Sequence, residues 1–134
     1  ESNDIYPCYQ DTLSTILCGD SITIGASEST TIVDSIGYYP DIEVSIGELI
    51  FKYGAPNILH VIPTGTPEAP TIVMLLLFDT LKMRVRLSEI EGISYTVTTS
   101  SKIELINYFD DILYSEVAAN MFSQSWKGYG TYMP

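Results

Sequence analysis

Residues 45–56, Ser-Ile-Gly-Glu-Leu-Ile-Phe-Lys-Tyr-Gly-Ala-Pro, constrain the fold more than any other stretch, because they encode a short helix together with both of its ends. Ser45 and Glu48 form a capping box, in which the serine hydroxyl and the glutamate carboxylate each satisfy a backbone donor left unpaired in the first turn. Ile46, Leu49, Ile50 and Tyr53 recur at helical spacing and give the segment one apolar face. Gly54 can take the left-handed conformation that closes a helix, and Pro56 forbids continuation. So short a helix is stable only when its apolar face docks on something else.

The docking surface is written downstream. Thr71–Phe78 contains seven consecutive apolar residues, far short of the roughly twenty needed to span a bilayer as a helix, and is expected to be a buried central strand. Asp79 and Thr80 make a turn, and Lys82–Leu87 alternates so that Met83, Val85 and Leu87 face inward while Lys82, Arg84 and Arg86 line a solvated face. Asn57–Ile62 and Ser94–Thr99 are further strand candidates, and the Pro63–Pro70 segment, with its three prolines and a glycine, is a loop. Upstream, residues 1–20 read as an irregular arm carrying a cysteine loop, followed by strands at Ser21–Gly25 and Thr30–Tyr38 with a turn at Gly25–Glu28. At 102–109 a second capping box (Ser101, Glu104) competes with strand alternation of Ile103 and Leu105; a strand ending at Phe109 is favoured, then a short helix from Asp110 to about Met121, whose paired aspartates suit a helix start. The expected fold is α+β: an antiparallel meander in one domain, with the 45–54 helix packed on it and a short C-terminal helix.

Seventeen acidic residues against six basic give a net charge of −11, which argues against nucleic acid or any other phosphate-rich partner. Charged residues make up only 17% of the chain, and ten tyrosines take over much of the surface usually given to Lys and Glu, as suits an extracellular or cell-envelope protein. Cys8 and Cys18 are the only cysteines, at neither zinc nor redox C-x-x-C spacing, and a disulfide between them is the natural pairing in an oxidising compartment; two buried free thiols are the alternative. The start, Glu-Ser-Asn-Asp, carries no signal peptide and reads as the end of a processed or truncated protein.

Catalytic chemistry finds no foothold. His60 is the only histidine, sits in a strand candidate, and has no nucleophile elbow or ligand at metal spacing near it. Asp110, Asp111 and Glu116 lack the pattern of a calcium loop and are better explained by helix capping. Gly128 and Gly130 lack the third glycine, lysine and helix of a phosphate loop. No catalytic residue, metal site or cofactor is expected. The one stretch suited to a binding surface is the aromatic tail, where Trp126, Tyr129 and Tyr132 supply large rigid contacts, but a tail that folds back to cover an open face or edge of the sheet is the favoured reading.

The helix ending in Lys52-Tyr53-Gly54-Ala55-Pro56 and running straight into the 57–61 strand resembles a helix–GxP–strand module of exported bacterial proteins. It is similar to the half-repeats of the outer-membrane assembly lipoprotein BamE and of β-lactamase-inhibitor-like domains, over about a third of the chain. It looks still more like uncharacterised exported domains of Chloroflexi-type bacteria, which also share the closing 126–130 pattern. The resemblance implies an α+β layer fold, an envelope or extracellular location and no catalytic residues. The expected role is therefore non-catalytic binding of a protein or glycan partner in the cell envelope. A structural subunit that assembles with itself by strand addition is the first alternative, and an enzyme inhibitor or hydrolase the second. No membrane span is expected in this chain.

Overall fold

The computed structural model describes residues 8–10, 15–18, 22–26, 33–40 and 43–134. Its elements in chain order are β1 (Cys8–Gln10), β2 (Thr15–Cys18), β3 (Ile22–Ala26), β4 (Val33–Tyr38), α1 (Ile46–Tyr53), β5 (Ile58–Pro63), β6 (Thr71–Phe78), β7 (Met83–Leu87), β8 (Ile90–Glu91), β9 (Tyr95–Val97), β10 (Ile103–Phe109), α2 (Asp111–Ala118), β11 (Ser123–Ser125) and β12 (Gly130–Tyr132). Ten of the strands form one antiparallel sheet in the order β1-β2-β3-β4-β10-β7-β6-β5-β11, with β8 pairing the start of β6. The fold is α+β with a mostly antiparallel sheet, as the sequence implies.

The helix forms as its sequence dictates. Ser45 accepts from the Glu48 amide and Glu48 reaches back to the Ser45 amide, completing the capping box. Gly54 closes the helix at φ 89°, a conformation costly for any residue with a β-carbon, and its amide bonds the Ile50 carbonyl. Removing the cap oxygen with Ser45→Ala is expected to lower unfolding stability by about 1 kcal/mol in urea denaturation, with no change of fold.

α1 covers one face of the sheet. Ile46 and Leu49 join Leu59 and Val61 of β5, Met74, Leu76 and Phe78 of β6, Met83, Val85 and Leu87 of β7, and Ile103 and Ile106 of β10 in a single core. The alternate residues of β6 are also shielded: Val73 and Leu77 are buried on the opposite face. Burial on both faces is why this strand tolerates no polar alternation. On that second face the Tyr114 hydroxyl of α2 donates to Asp79 Oδ1 at 2.5 Å, and the α2 cap residue Asp110 accepts from the Leu113 amide. Among the described residues, no helix is long and apolar enough to cross a membrane.

Three expectations are corrected. Residues 8–10 and 15–18, read as part of an irregular arm, are antiparallel strands that extend the sheet, whereas residues 1–7 and the turn expected at 25–28 fall wholly or partly outside the described residues. The 94–99 segment does not continue the meander; its strand β9 pairs with β12 in a separate ribbon, because its partner lies more than thirty residues away. Lys82 precedes β7 rather than opening it, at φ 50° in the turn after β6, where its carbonyl accepts the Phe109 amide.

Candidate functional site

A large groove runs along the exposed side of α1. It has a volume of about 930 Å³, and Glu43, Ser45, Glu48 and Lys52 share its walls with Thr99 and Lys102. Two backbone hydrogen bonds place α1 against the far wall: Ile46 N donates to Ser101 O at 2.8 Å and Gly47 N to Thr99 O at 2.9 Å. These take up first-turn donors that a helix cannot satisfy internally. Lys102 Nζ meets Glu43 at 2.8 Å at the rim, and this ion pair holds the ammonium above its ordinary pKa. Phe51 lines the groove and is 94% exposed. An aromatic ring held in water on a capped, docked helix presents a rigid apolar contact with little left to order on binding.

The other flank of α1 carries an aromatic strip. Tyr53, Tyr108, Tyr38, Tyr39 and Ile36 are all exposed, with Tyr108 opposite Ile36 and Tyr38 opposite Ile106 in the β4–β10 register. Tyr53 and Lys52 lie close enough to influence Tyr108, whose hydroxyl is raised above the usual phenol value, first by burial and then by Tyr53, with Lys52 opposing. Lys52 Nζ also sits 5.1 Å above the Tyr53 ring.

The aromatic tail divides between packing and exposure. Tyr132 is 8% exposed in the core; its hydroxyl donates to Gly128 O at 2.6 Å and accepts the Lys127 amide at 3.0 Å. Trp126 stacks on Tyr132 at 6.0 Å between ring centroids and packs against the core. Only Tyr129 looks outward, at 44% exposure, edge-on to Trp126 at 5.6 Å, beside a polar groove of about 260 Å³ with Gln124, Lys127 and Thr131. The three residues named from sequence are thus brought together, and two of them hold the β9–β12 ribbon to the body.

Nothing in the sequence alone singles out Phe51, because one aromatic on the polar side of an amphipathic helix is ordinary. The available signal was its position outside the set Ile46, Leu49, Ile50 and Tyr53, directly after Gly47 on the next turn.

The second face carries the basic residues. Arg84 and Arg86 do not form the solvated stripe expected of them: both are half-buried on the α2 side, because the pleat that points Met83, Val85 and Leu87 into one layer points them into the other. Arg84 Nη2 donates to Asn107 Oδ1 at 3.2 Å, and its guanidinium lies 5.2 Å from the Phe109 ring. Burial, and then the charge of Arg86, lower its pKa. His60 is 1% exposed, and its pKa is lowered first by burial, against a backbone contact to Ala118 that raises it, with Arg84 lowering it further. Among the described residues no group of three or more His, Cys, Asp or Glu side chains could hold a metal ion. Cys8 and Cys18 are directly opposed in the β1–β2 register. No protein-family model matches the sequence, and comparison with curated proteins and with solved structures gave no match.

Proposed function

We propose that this chain is a non-catalytic binding domain of the extracellular space or cell envelope, which engages a protein or glycan through the exposed side of α1. The observation that carries the reading is Phe51, nearly fully exposed on a helix fixed at both ends and bordering a groove of about 930 Å³. Buried aromatic anchors surrounded by polar rims dominate the energetics of interfaces, and Glu43, Lys52 and Lys102 supply such a rim. The scarcity of charged residues and the tyrosine-rich surface support the location. So does the Cys8–Cys18 register, which suits a cross-strand disulfide contributing up to about 3 kcal/mol in an oxidising compartment.

Phe51→Asp is expected to weaken capture of the partner from an envelope fraction at least tenfold while leaving thermal unfolding unchanged, since the side chain packs on nothing in the core. Equal capture by the variant would move the site elsewhere. Hydrolase turnover that disappears on substitution of His60 or a carboxylate would end the non-catalytic reading.

A second reading, assembly by strand addition, draws on the β5 edge. β11 pairs only Ile58, Leu59 and His60, so the last three residues of β5, paired to β6 on one side, have no strand on the other among the described residues. Pro63 blunts the end of that edge. In this reading removal of residues 1–7 abolishes assembly, and polymers that survive the truncation exclude it.

A further inference from the structure

We propose that the α2 side of the sheet holds a binding site for a small oxyanion, carried by Arg84 and Arg86 beside His60. The register brings the three together. His60 and Arg86 both pair with Leu75, one from each neighbouring strand, and Arg84 pairs with Leu77 two residues along. With strands about 4.8 Å apart, an arginine side chain on β7 can reach toward the imidazole across β6.

The polar accounting on this face does not close. His60 Nε2, Arg84 Nε and Arg86 Nε are all out of solvent and have no hydrogen-bond partner among the described residues. Leaving one buried donor or acceptor unsatisfied costs about 1–3 kcal/mol, and more when it is charged, so three in one patch call for an occupant. The charge accounting does not close either. Arg84 is met by a neutral amide and an aromatic ring, and no carboxylate among the described residues lies within ion-pair distance of it. Arg86 has Glu104 at 3.5 Å from Nε, a charge contact without a hydrogen bond, and both side chains are partly exposed. Among the described residues the more enclosed guanidinium is thus left without a carboxylate.

An oxyanion fits these groups. Its oxygens can accept from the Nε–H of both arginines in the planar geometry that guanidinium groups favour, with His60 on the third side. The three nitrogens are out of solvent although the Arg86 side chain is partly exposed, so the ligand is small, a carboxylate or an inorganic phosphate rather than a polymer backbone. Arg86, with its partly exposed side chain, marks the route in.

His60 is the only histidine, so its ring resonances report on the site without ambiguity. The test is an NMR titration of the intact chain at constant ionic strength with sodium phosphate, sulfate, acetate or citrate, against chloride as control. A saturable shift of the His60 ring with phosphate and sulfate, or with acetate and citrate, is expected and assigns the oxyanion class. Arg84→Gln and Arg86→Gln are each expected to weaken it at least tenfold, with folding checked by thermal melting. If Arg84→Gln does not fold, Arg86→Gln and Glu104→Gln decide, the latter tightening binding severalfold by removing the competing carboxylate. A shift that never saturates, that matches chloride, or that persists in the folded arginine variants overturns the proposal.

Discussion

Gly47→Ala is expected to destabilise the fold by about 2 kcal/mol, although alanine is the better helix former. In an open helix the substitution would gain about 1 kcal/mol. Here an added β-carbon would lie 2.6 Å from Thr99 O, a backbone atom that cannot rotate away. Relief requires α1 to lift from residues 98–101, which gives up the hydrogen bonds from Ile46 to Ser101 and from Gly47 to Thr99. Overpacking costs about 1–3 kcal/mol and each lost hydrogen bond about 1 kcal/mol, so the clash outweighs the propensity gain. Chemical denaturation of the two proteins checks the sign. A stabilised Gly47→Ala would mean that α1 is not seated against this loop, and the groove along it would lose its far wall.

Alkaline conditions are expected to have the second large effect. The Tyr95 hydroxyl donates to Ser88 O at 2.6 Å from a buried position, and burial, followed by the charge of Glu104, pushes its pKa up to about 12. Tyr114 is raised for the same first reason and then by its bond to Asp79. A phenol whose pKa is higher in the folded state contributes stability that is whole below the unfolded value of about 10 and is lost as pH rises through the folded one, because the unfolded chain releases the proton first. For Tyr95 the interval corresponds to about 3 kcal/mol. Unfolding stability should therefore fall steeply from pH 10 to 12, and less steeply in Tyr95→Phe. A flat profile for the wild-type protein would show these hydroxyls to be solvated. His60 gives the opposite limb: its lowered pKa penalises the folded state as pH falls below the usual histidine range, since only the unfolded chain then takes up the proton.

What the sequence made legible, and what it hid, follows from the range of the interactions. α1 was readable with its cap and stop because Ser45, Glu48, Gly54 and Pro56 act within a few residues of one another. β6 was readable because burial on both faces leaves an uninterrupted apolar run. β7 shows the parity of its side chains but not what lies over each face: whether Arg84 meets water is decided by Asn107 and Phe109, more than twenty residues downstream. The β9–β12 ribbon is hidden for the same reason; that the tail folds back is legible from its aromatics, but not which strand it pairs with, and Trp126 and Tyr132 are as suitable for a core as for an interface. The groove beside α1 depends on two backbone hydrogen bonds to residues 99 and 101, which no local pattern announces.

The claim that this chain binds a partner along α1 is tested most directly by placing a photocrosslinking residue at position 51 and irradiating the purified domain with an envelope fraction. The control carries the same residue in place of Glu68, on the proline-rich loop. The account predicts one dominant foreign protein or glycan adduct from position 51 that is absent from the control. Adducts identical at both positions, or a ladder of self-adducts alone, would contradict it.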